Sequence, residues 1–247
     1  MMVNETTIQK LHEMRLSSMA GAYRNQAGDP SMKDFSFEER LGMMVDTEWA
    51  TRRNNRLSRL IRNAGFPMHG TCIEGVEYHA DRKLNREQIL QLSTCNYLEE
   101  KHNIVILGAS GAGKTYLSCA FGMAACRRFF TVKYVRLPEL LNELAVARGE
   151  AIFQKAIQVY KKVSLLILDD WLLLPLRDNE ARDLWELVEA RHKQGSTIFA
   201  SQFAPEGWHG KIGEGTLADA ILDRIVHDSY FLFIDGEESM RKRKGIN

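Results

Sequence analysis

Apolar and polar positions follow two regimes along this chain. Up to about Phe66 the spacing is helical. Ile8, Leu11 and Met14 recur at about one turn, and Gly28-Asp29-Pro30 interrupts the segment. Ser36 with Glu39 makes a capping box for a second helix. On it Phe37, Leu41, Met44, Val45 and Trp49 form one apolar face, and the pattern continues through Ile61 until Gly65-Phe66-Pro67 stops it. Residues to about Gly75 read as a linker. Beyond them, short apolar runs alternate with helical stretches, the signature of a parallel sheet covered by helices. Strands are expected over 104–107, 132–136, 163–168, 197–201 and 230–234, with helices between them, one carrying Trp185, Leu187, Val188 and Arg191. The chain thus reads as a small all-α N-terminal domain, 1–66, followed by an α/β domain, 67–247. There is no internal repeat and no low-complexity tract.

The first of the strand-like runs, Ile104-Val105-Ile106-Leu107, leads into Gly108-Ala109-Ser110-Gly111-Ala112-Gly113-Lys114-Thr115 and then a helical pattern from Tyr116. This is a complete G-x-x-x-x-G-K-[ST] loop in its strand–loop–helix context. Glycines let the backbone curl so that successive N–H groups face phosphate oxygens, and the helix N-terminus adds partial positive charge. Lys114 is expected to reach the β- and γ-phosphates and the Thr115 hydroxyl to bind magnesium. A glycine-rich turn without a ligand is the alternative, and the next run argues against it. Leu165-Leu166-Ile167-Leu168 ends in Asp169-Asp170. Ligands of open α/β sheets bind at the carboxyl ends of strands. Asp169 is therefore expected to hold magnesium, directly or indirectly, and Asp170 to polarise the attacking water. Alone, such a run could end in a capping acid before a helix. After a phosphate loop it points to nucleoside triphosphate hydrolysis.

Composition adds boundaries. The chain has 247 residues, 45% hydrophobic and 26% charged, ordinary values for a globular protein, and a net charge of +1. It is no polycation, so nucleic-acid contact must come from local clustering. Cys72, Cys95, Cys119 and Cys126 show no C-x-x-C spacing, and free thiols suit a reducing cytoplasm. No signal peptide and no membrane span is expected.

One such cluster exists. Arg52, Arg53, Arg56, Arg59 and Arg62 follow Trp49 without an intervening acid from Thr51 to Arg62, and all but Arg53 share one side of the helix. Guanidinium forks suit a phosphate backbone; an ordinary solvated face or a site for an acidic partner is the alternative. Arg241-Lys242-Arg243-Lys244 is a second basic cluster, for DNA or for solubility. Thr197-Ile198-Phe199-Ala200 ends in Ser201-Gln202, polar groups suited to lie between the acids and the γ-phosphate, or else exposed in a turn. Leu217, Ile221 and Ile225 make a helix stripe from which Arg224 projects. It reads either as a finger offered to a neighbour's nucleotide or as the partner of Asp219, Asp223 or Asp228.

Taken in order, GASGAGKT, LLILDD, FASQ and DAILDRIVH resemble an AAA+ ATPase. With EWATRRNNRLSRLIRNAGFP and the ending DGEESMRKRKG, the chain is most similar to the IstB-like family, transposition helper ATPases of insertion sequences related to the DnaC helicase loaders and to DnaA. The resemblance implies an α/β P-loop AAA+ parallel-sheet ATPase domain, preceded by the small helical domain. It implies ATP and Mg²⁺ as cofactors, Ser201 and Gln202 at the sensor-1 position, and Arg224 as a finger acting in trans. It also implies a homo-oligomer on duplex DNA that recruits and stimulates the transposase of the same element. Two features depart from the wider superfamily. Asp170 stands where many members carry Glu, as is usual in this branch. The chain after the last strand is too short for a helical lid, which leaves Arg241 to stand in for a sensor-2 arginine. A helicase loader, gripping a helicase through its N-terminal part, is the second reading, and a nucleotide kinase the third.

Overall fold

The structure, a computed structural model, describes residues 5–213, 215–236, 239–243 and 245. The chain divides into two compact units, Met1–Arg59 and Leu60–Asn247.

In the first unit the helical spacing becomes α1 (Glu5–Glu13), α2 (Ser17–Gly28) and the start of α3 (Phe37–Ala64). The first segment breaks earlier than its spacing suggests. Arg15 takes a positive φ of 59°, Leu16 turns the chain, and Met14 is left exposed. Ile8 and Leu11 then pack against Ala20. The capping box of α3 forms as expected: Ser36 N–H donates to Glu39 Oε2 at 2.7 Å and Glu39 N–H to Ser36 Oγ at 3.3 Å. The expected apolar face of α3 is corrected. Met44 is buried, but Phe37 is 75% and Trp49 60% exposed, and Leu41 and Val45 are exposed as well. The inward line is Met44 and Glu48. The Glu48 carboxylate accepts the N–H groups of Ser18 and Met19, both at 3.0 Å, and so caps the start of α2. A capping acid, invisible to apolar periodicity, sets which side of α3 faces its neighbours.

The second unit is the sheet. Its strands are β1 (Asn103–Gly108), β2 (Val132–Arg136), β3 (Leu165–Trp171), β4 (Ser196–Ser201) and β5 (Ser229–Ile234), all parallel, in the order β2-β3-β4-β1-β5. Strands buried on both faces need helices on both. Val105, Leu107, Leu166, Leu168 and Phe199 pack with α7 (Leu137–Gly149), α8 (Phe153–Lys162), α9 (Asp178–Arg191) and α11 (Thr216–Val226). Ile167, of opposite parity, meets α6 (Lys114–Arg127) on the other face, where a side chain at Gly122 would collide with it. Shorter helices α4 (Arg86–Ser93), α5 (Asn96–Glu100), α10 (His209–Ile212) and α12 (Met240–Arg243) complete the unit. The five strands lie where the apolar runs place them. No helical lid follows β5 among the described residues. No helix of the described residues is long and apolar enough to cross a membrane.

Candidate nucleotide site

The carboxyl ends of β1 and β3 open onto one cleft of about 780 Å³. Strand β4 lies between them and extends the same edge. The loop Gly108–Thr115 joins β1 to α6 along this edge. Gly111 and Gly113 take φ of 79° and 101°, values that L side chains rarely adopt, so the curl depends on glycine at both. Lys114 is 7% exposed, and its Nζ donates to the carbonyls of Gly108 at 2.8 Å and Ala109 at 2.9 Å. Thr115 is the second residue of α6, so its hydroxyl emerges at the helix N-terminus beside the acids.

The two carboxylates are presented differently. Between Leu168 and Trp171 the β3–β4 register shifts, the mark of a bulge. Asp170 sits in the bulge with φ of 51°, a sparsely populated conformation that costs about 1 kcal/mol and concentrates at functional sites. Asp169 is 4% exposed. Its Oδ2 accepts from Thr115 Oγ1 and from Tyr134 Oη, both at 2.7 Å. Burial, reinforced by the Asp169 charge, holds the Tyr134 phenol far above its ordinary value, so it is a permanent donor. Asp170 Oδ2 accepts from Arg136 Nε at 2.7 Å and Nη2 at 2.6 Å. The hydrogen bond to Asp170 raises the Arg136 pKa further.

A divalent cation fits this donor set. Magnesium prefers hard oxygen ligands, few of them from protein and the rest from phosphate and water. The Thr115 hydroxyl and the Asp169 carboxylate meet at 2.7 Å. Among the described residues there is no cluster of three or more His, Cys, Asp or Glu side chains suited to an all-protein metal cage.

The remaining expected residues divide. Gln202 lines the cleft, whereas Ser201 is fully buried. The Ser201 hydroxyl donates to the Trp171 carbonyl at 3.0 Å and accepts from Phe203 N–H at 3.1 Å, so it ties the end of β4 to the end of β3. Arg224 does not line the cleft of its own chain. It pairs with Glu189 of α9 and lies 4.4 Å from the Trp185 ring centroid; neither Asp219, Asp223 nor Asp228 is its partner. On α3 all five arginines are exposed. Arg52 also braces the helical unit, since its Nε donates to Glu48 Oε1 at 2.6 Å and its Nη2 to the Arg15 carbonyl at 2.7 Å. Arg53 lies 5.1 Å from the Trp49 ring centroid. Of the basic tail, Arg243 pairs with Asp81. The Arg241 side chain and Lys244 lie outside the described residues.

Several lining residues, among them Tyr134, Arg136, Pro67 and Arg82, do not follow from the sequence motifs. Tyr134 and Arg136 alternate at the carboxyl end of an apolar run, the position that also exposes Asp169, so the strand-end rule could have found them. Pro67 and Arg82 come from the segment read partly as a linker, which forms a wall of the cleft; no local pattern marks them.

The family profile described as IstB-like ATP binding protein matches residues 9–247. An insertion sequence ATP-binding protein of Sinorhizobium fredii is 37% identical over 98% of this chain and 99% of its own length. The ATP-binding protein of insertion sequence IS1162 from Pseudomonas fluorescens is 37% identical over 81% of this chain and 87% of its own. Among solved structures, AMPPCP-bound DnaA from Aquifex aeolicus superposes with a TM-score of 0.58 at 21% identity, over 71% of this chain and 53% of that one. The DnaC helicase loader superposes with a TM-score of 0.56 at 14% identity, over 68% of this chain and 98% of that one. These likenesses give the fold, a P-loop AAA+ sheet.

Proposed function

The chain belongs to the IstB-like ATP-binding protein family, and from that premise we propose that it is an ATP-dependent helper of transposition that assembles on duplex target DNA and recruits and stimulates a transposase. It is a transposition-associated AAA+ ATPase. The observation that carries the chemistry is the meeting of Thr115 with Asp169 at 2.7 Å, between a phosphate loop and a strand-end acid. In this reading the N–H groups of Gly108–Thr115 cradle the phosphates of ATP. Lys114 exchanges the loop carbonyls for β- and γ-phosphate oxygens. Thr115 and Asp169 hold magnesium, which supplies neutralisation of phosphate charge when bound. Asp170 orients and deprotonates the attacking water once Arg136 has moved aside. Gln202 faces the γ-phosphate, and Ser201 keeps the β4 end in register with β3.

Arg224 completes the site of a neighbour. It lies off its own cleft on α11, and Glu189 and Trp185 hold it at the surface, where its side chain is 26% exposed. A guanidinium there stabilises transferring phosphoryl charge only on a second copy of the chain. Hydrolysis then depends on assembly and dismantles it. Arg56, Arg59 and Arg62 on α3 track the DNA backbone, and phosphate contacts of this kind give little base preference.

Electron microscopy of the protein with ATP and duplex DNA tests the proposal. Ordered assemblies that need both are expected, and addition of the element's transposase should yield a larger complex. Particles that stay monomeric on duplex DNA, or assemblies indifferent to DNA, would refute it.

A further inference from the structure

A second cation is built into the phosphate end of the cleft. Arg82 is 5% exposed and lies in the segment before α4. Its Nη2 donates to the carbonyl of Ala112, inside the phosphate loop, at 3.0 Å, and its Nη1 donates to the carbonyl of Glu77. Its Nε is buried without a hydrogen-bond partner. The acids beside it in sequence are engaged elsewhere: Glu77 with His79 at 2.9 Å, and Asp81 with Arg243. The guanidinium is therefore buried against two carbonyls, and the charges of Glu77 and Asp81 nearby offset part of the cost. Such burial costs several kcal/mol unless an anion compensates it. The guanidinium also presses on the loop. A Cβ at Gly113 would come within 2.8 Å of Arg82 Nη2, so the fork lies directly against the loop at Gly113.

The Gly111–Gly113 curl is the part of a phosphate loop whose N–H groups hold the α- and β-phosphates. We propose that Arg82 is a nucleotide-binding residue that sets a cis guanidinium against the α- and β-phosphates, complementing Lys114. The proposal rests on the ATP reading of the cleft. It gives the domain an arginine at its phosphates from a segment upstream of the sheet. The nucleotide then adds phosphate charge to that of Glu77 and Asp81 around the buried guanidinium. Any loss on removing it falls on ADP and ATP alike, because both carry these two phosphates.

The test is made on the full chain, with ADP and a non-hydrolysable ATP analogue titrated calorimetrically into wild type, Arg82→Gln and Lys114→Ala, and with melting temperatures measured alongside. Arg82→Gln should weaken ADP and the analogue by the same factor, tenfold or more. Unchanged affinities with a lowered melting temperature would make Arg82 a brace of the loop and overturn the proposal. Loss of analogue binding with ADP unaffected would overturn it too, since the charge would then serve the γ-phosphate end. If Arg82→Gln does not fold, Arg82→Met, which removes the buried charge and fills its space, is held to the same outcomes. Failure of the underlying reading looks different: Lys114→Ala would then bind both nucleotides as wild type does.

Discussion

Replacing Arg136 by alanine is expected to accelerate ATP turnover. In the proposed mechanism Asp170 is the base, and its Oδ2 receives two N–H groups of Arg136, at 2.7 and 2.6 Å. An oxygen so engaged accepts a proton from water poorly, so the pair opposes the step that Asp170 performs. A charge-assisted bond between shielded groups contributes about 1.5–3 kcal/mol. The Arg136 side chain is 48% exposed and that of Asp170 22%, and exposed pairs contribute about 0–1 kcal/mol. About 1 kcal/mol is a fair figure for this half-shielded pair. If removing the pair lowers the barrier by that amount, turnover rises about fivefold. The assay is phosphate release at saturating ATP, with and without duplex DNA. Arg136→Lys, which keeps charge but loses the fork, should lie between. The gain should vanish in an Asp170→Asn background, because the two residues act through one contact. A fall in turnover for Arg136→Ala, with Asp170 intact and melting unchanged, would refute the reasoning and make Arg136 a ligand of the phosphates.

Lys114→Ala should abolish nucleotide binding, whereas Asp170→Asn should bind ATP and hydrolyse it at least a hundredfold more slowly, as loss of a general base typically costs; equal turnover with wild type would remove Asp170 from the role. Replacing Arg56, Arg59 and Arg62 together should flatten the salt dependence of duplex binding by roughly three in the slope of log K against log salt. Arg52 is left in place because it ties Glu48 to Arg15, and an unchanged slope would make the face mere solvated surface. Arg224→Ala and Asp170→Asn, each inactive alone, should regain ATPase when mixed, because one keeps its pocket and the other its finger; a co-assembled mixture without activity would leave Arg224 as the partner of Glu189 only. Burial pushes the Cys95 thiol up to about 11 and those of Cys119 and Cys126 up to about 12. Raised values mean little thiolate below pH 9, so at pH 8 a thiol reagent should label half-buried Cys72 first and these three only on unfolding, and rapid labelling of all four would contradict the packing.

Legibility follows the range of the interactions. Features decided within a few residues are readable: the Ser36–Glu39 box, the glycine curl before Lys114, and the apolar runs that become the five strands. A strand buried on both faces has little choice but an unbroken apolar run, and Leu165–Leu168 ending in two acids announces both its burial and its edge. Contacts set by register between distant segments escape. Apolar spacing on α3 predicts one inward face, but Glu48, reaching back to Ser18 and Met19, turns Phe37 and Trp49 outward. Spacing offers Arg224 three nearby aspartates, yet its partner lies on α9, thirty-five positions away, because α9 and α11 pack side by side on the sheet. Arg82 stands in a segment with no periodicity at all, yet it reaches the loop thirty positions downstream.

The same long-range pairings shape how the cleft must work. Thr115 and Tyr134 both donate to Asp169, Arg136 to Asp170, and Lys114 to the carbonyls of its own loop. Nucleotide binding therefore exchanges one set of contacts for another, and the net gain per contact is smaller than its gross strength. Exchange also couples the contacts. Tyr134 and Thr115 share a single oxygen of Asp169, so whatever draws Thr115 away changes how firmly Tyr134 and β2 hold β3. Arg136 stands at the end of that same strand, two residues on. In the proposed mechanism a change at the phosphates thus has a short route through Tyr134 and the backbone of β2 to the Arg136–Asp170 pair. The proposed magnesium ligand Thr115 and the proposed base Asp170 stand at the two ends of that route.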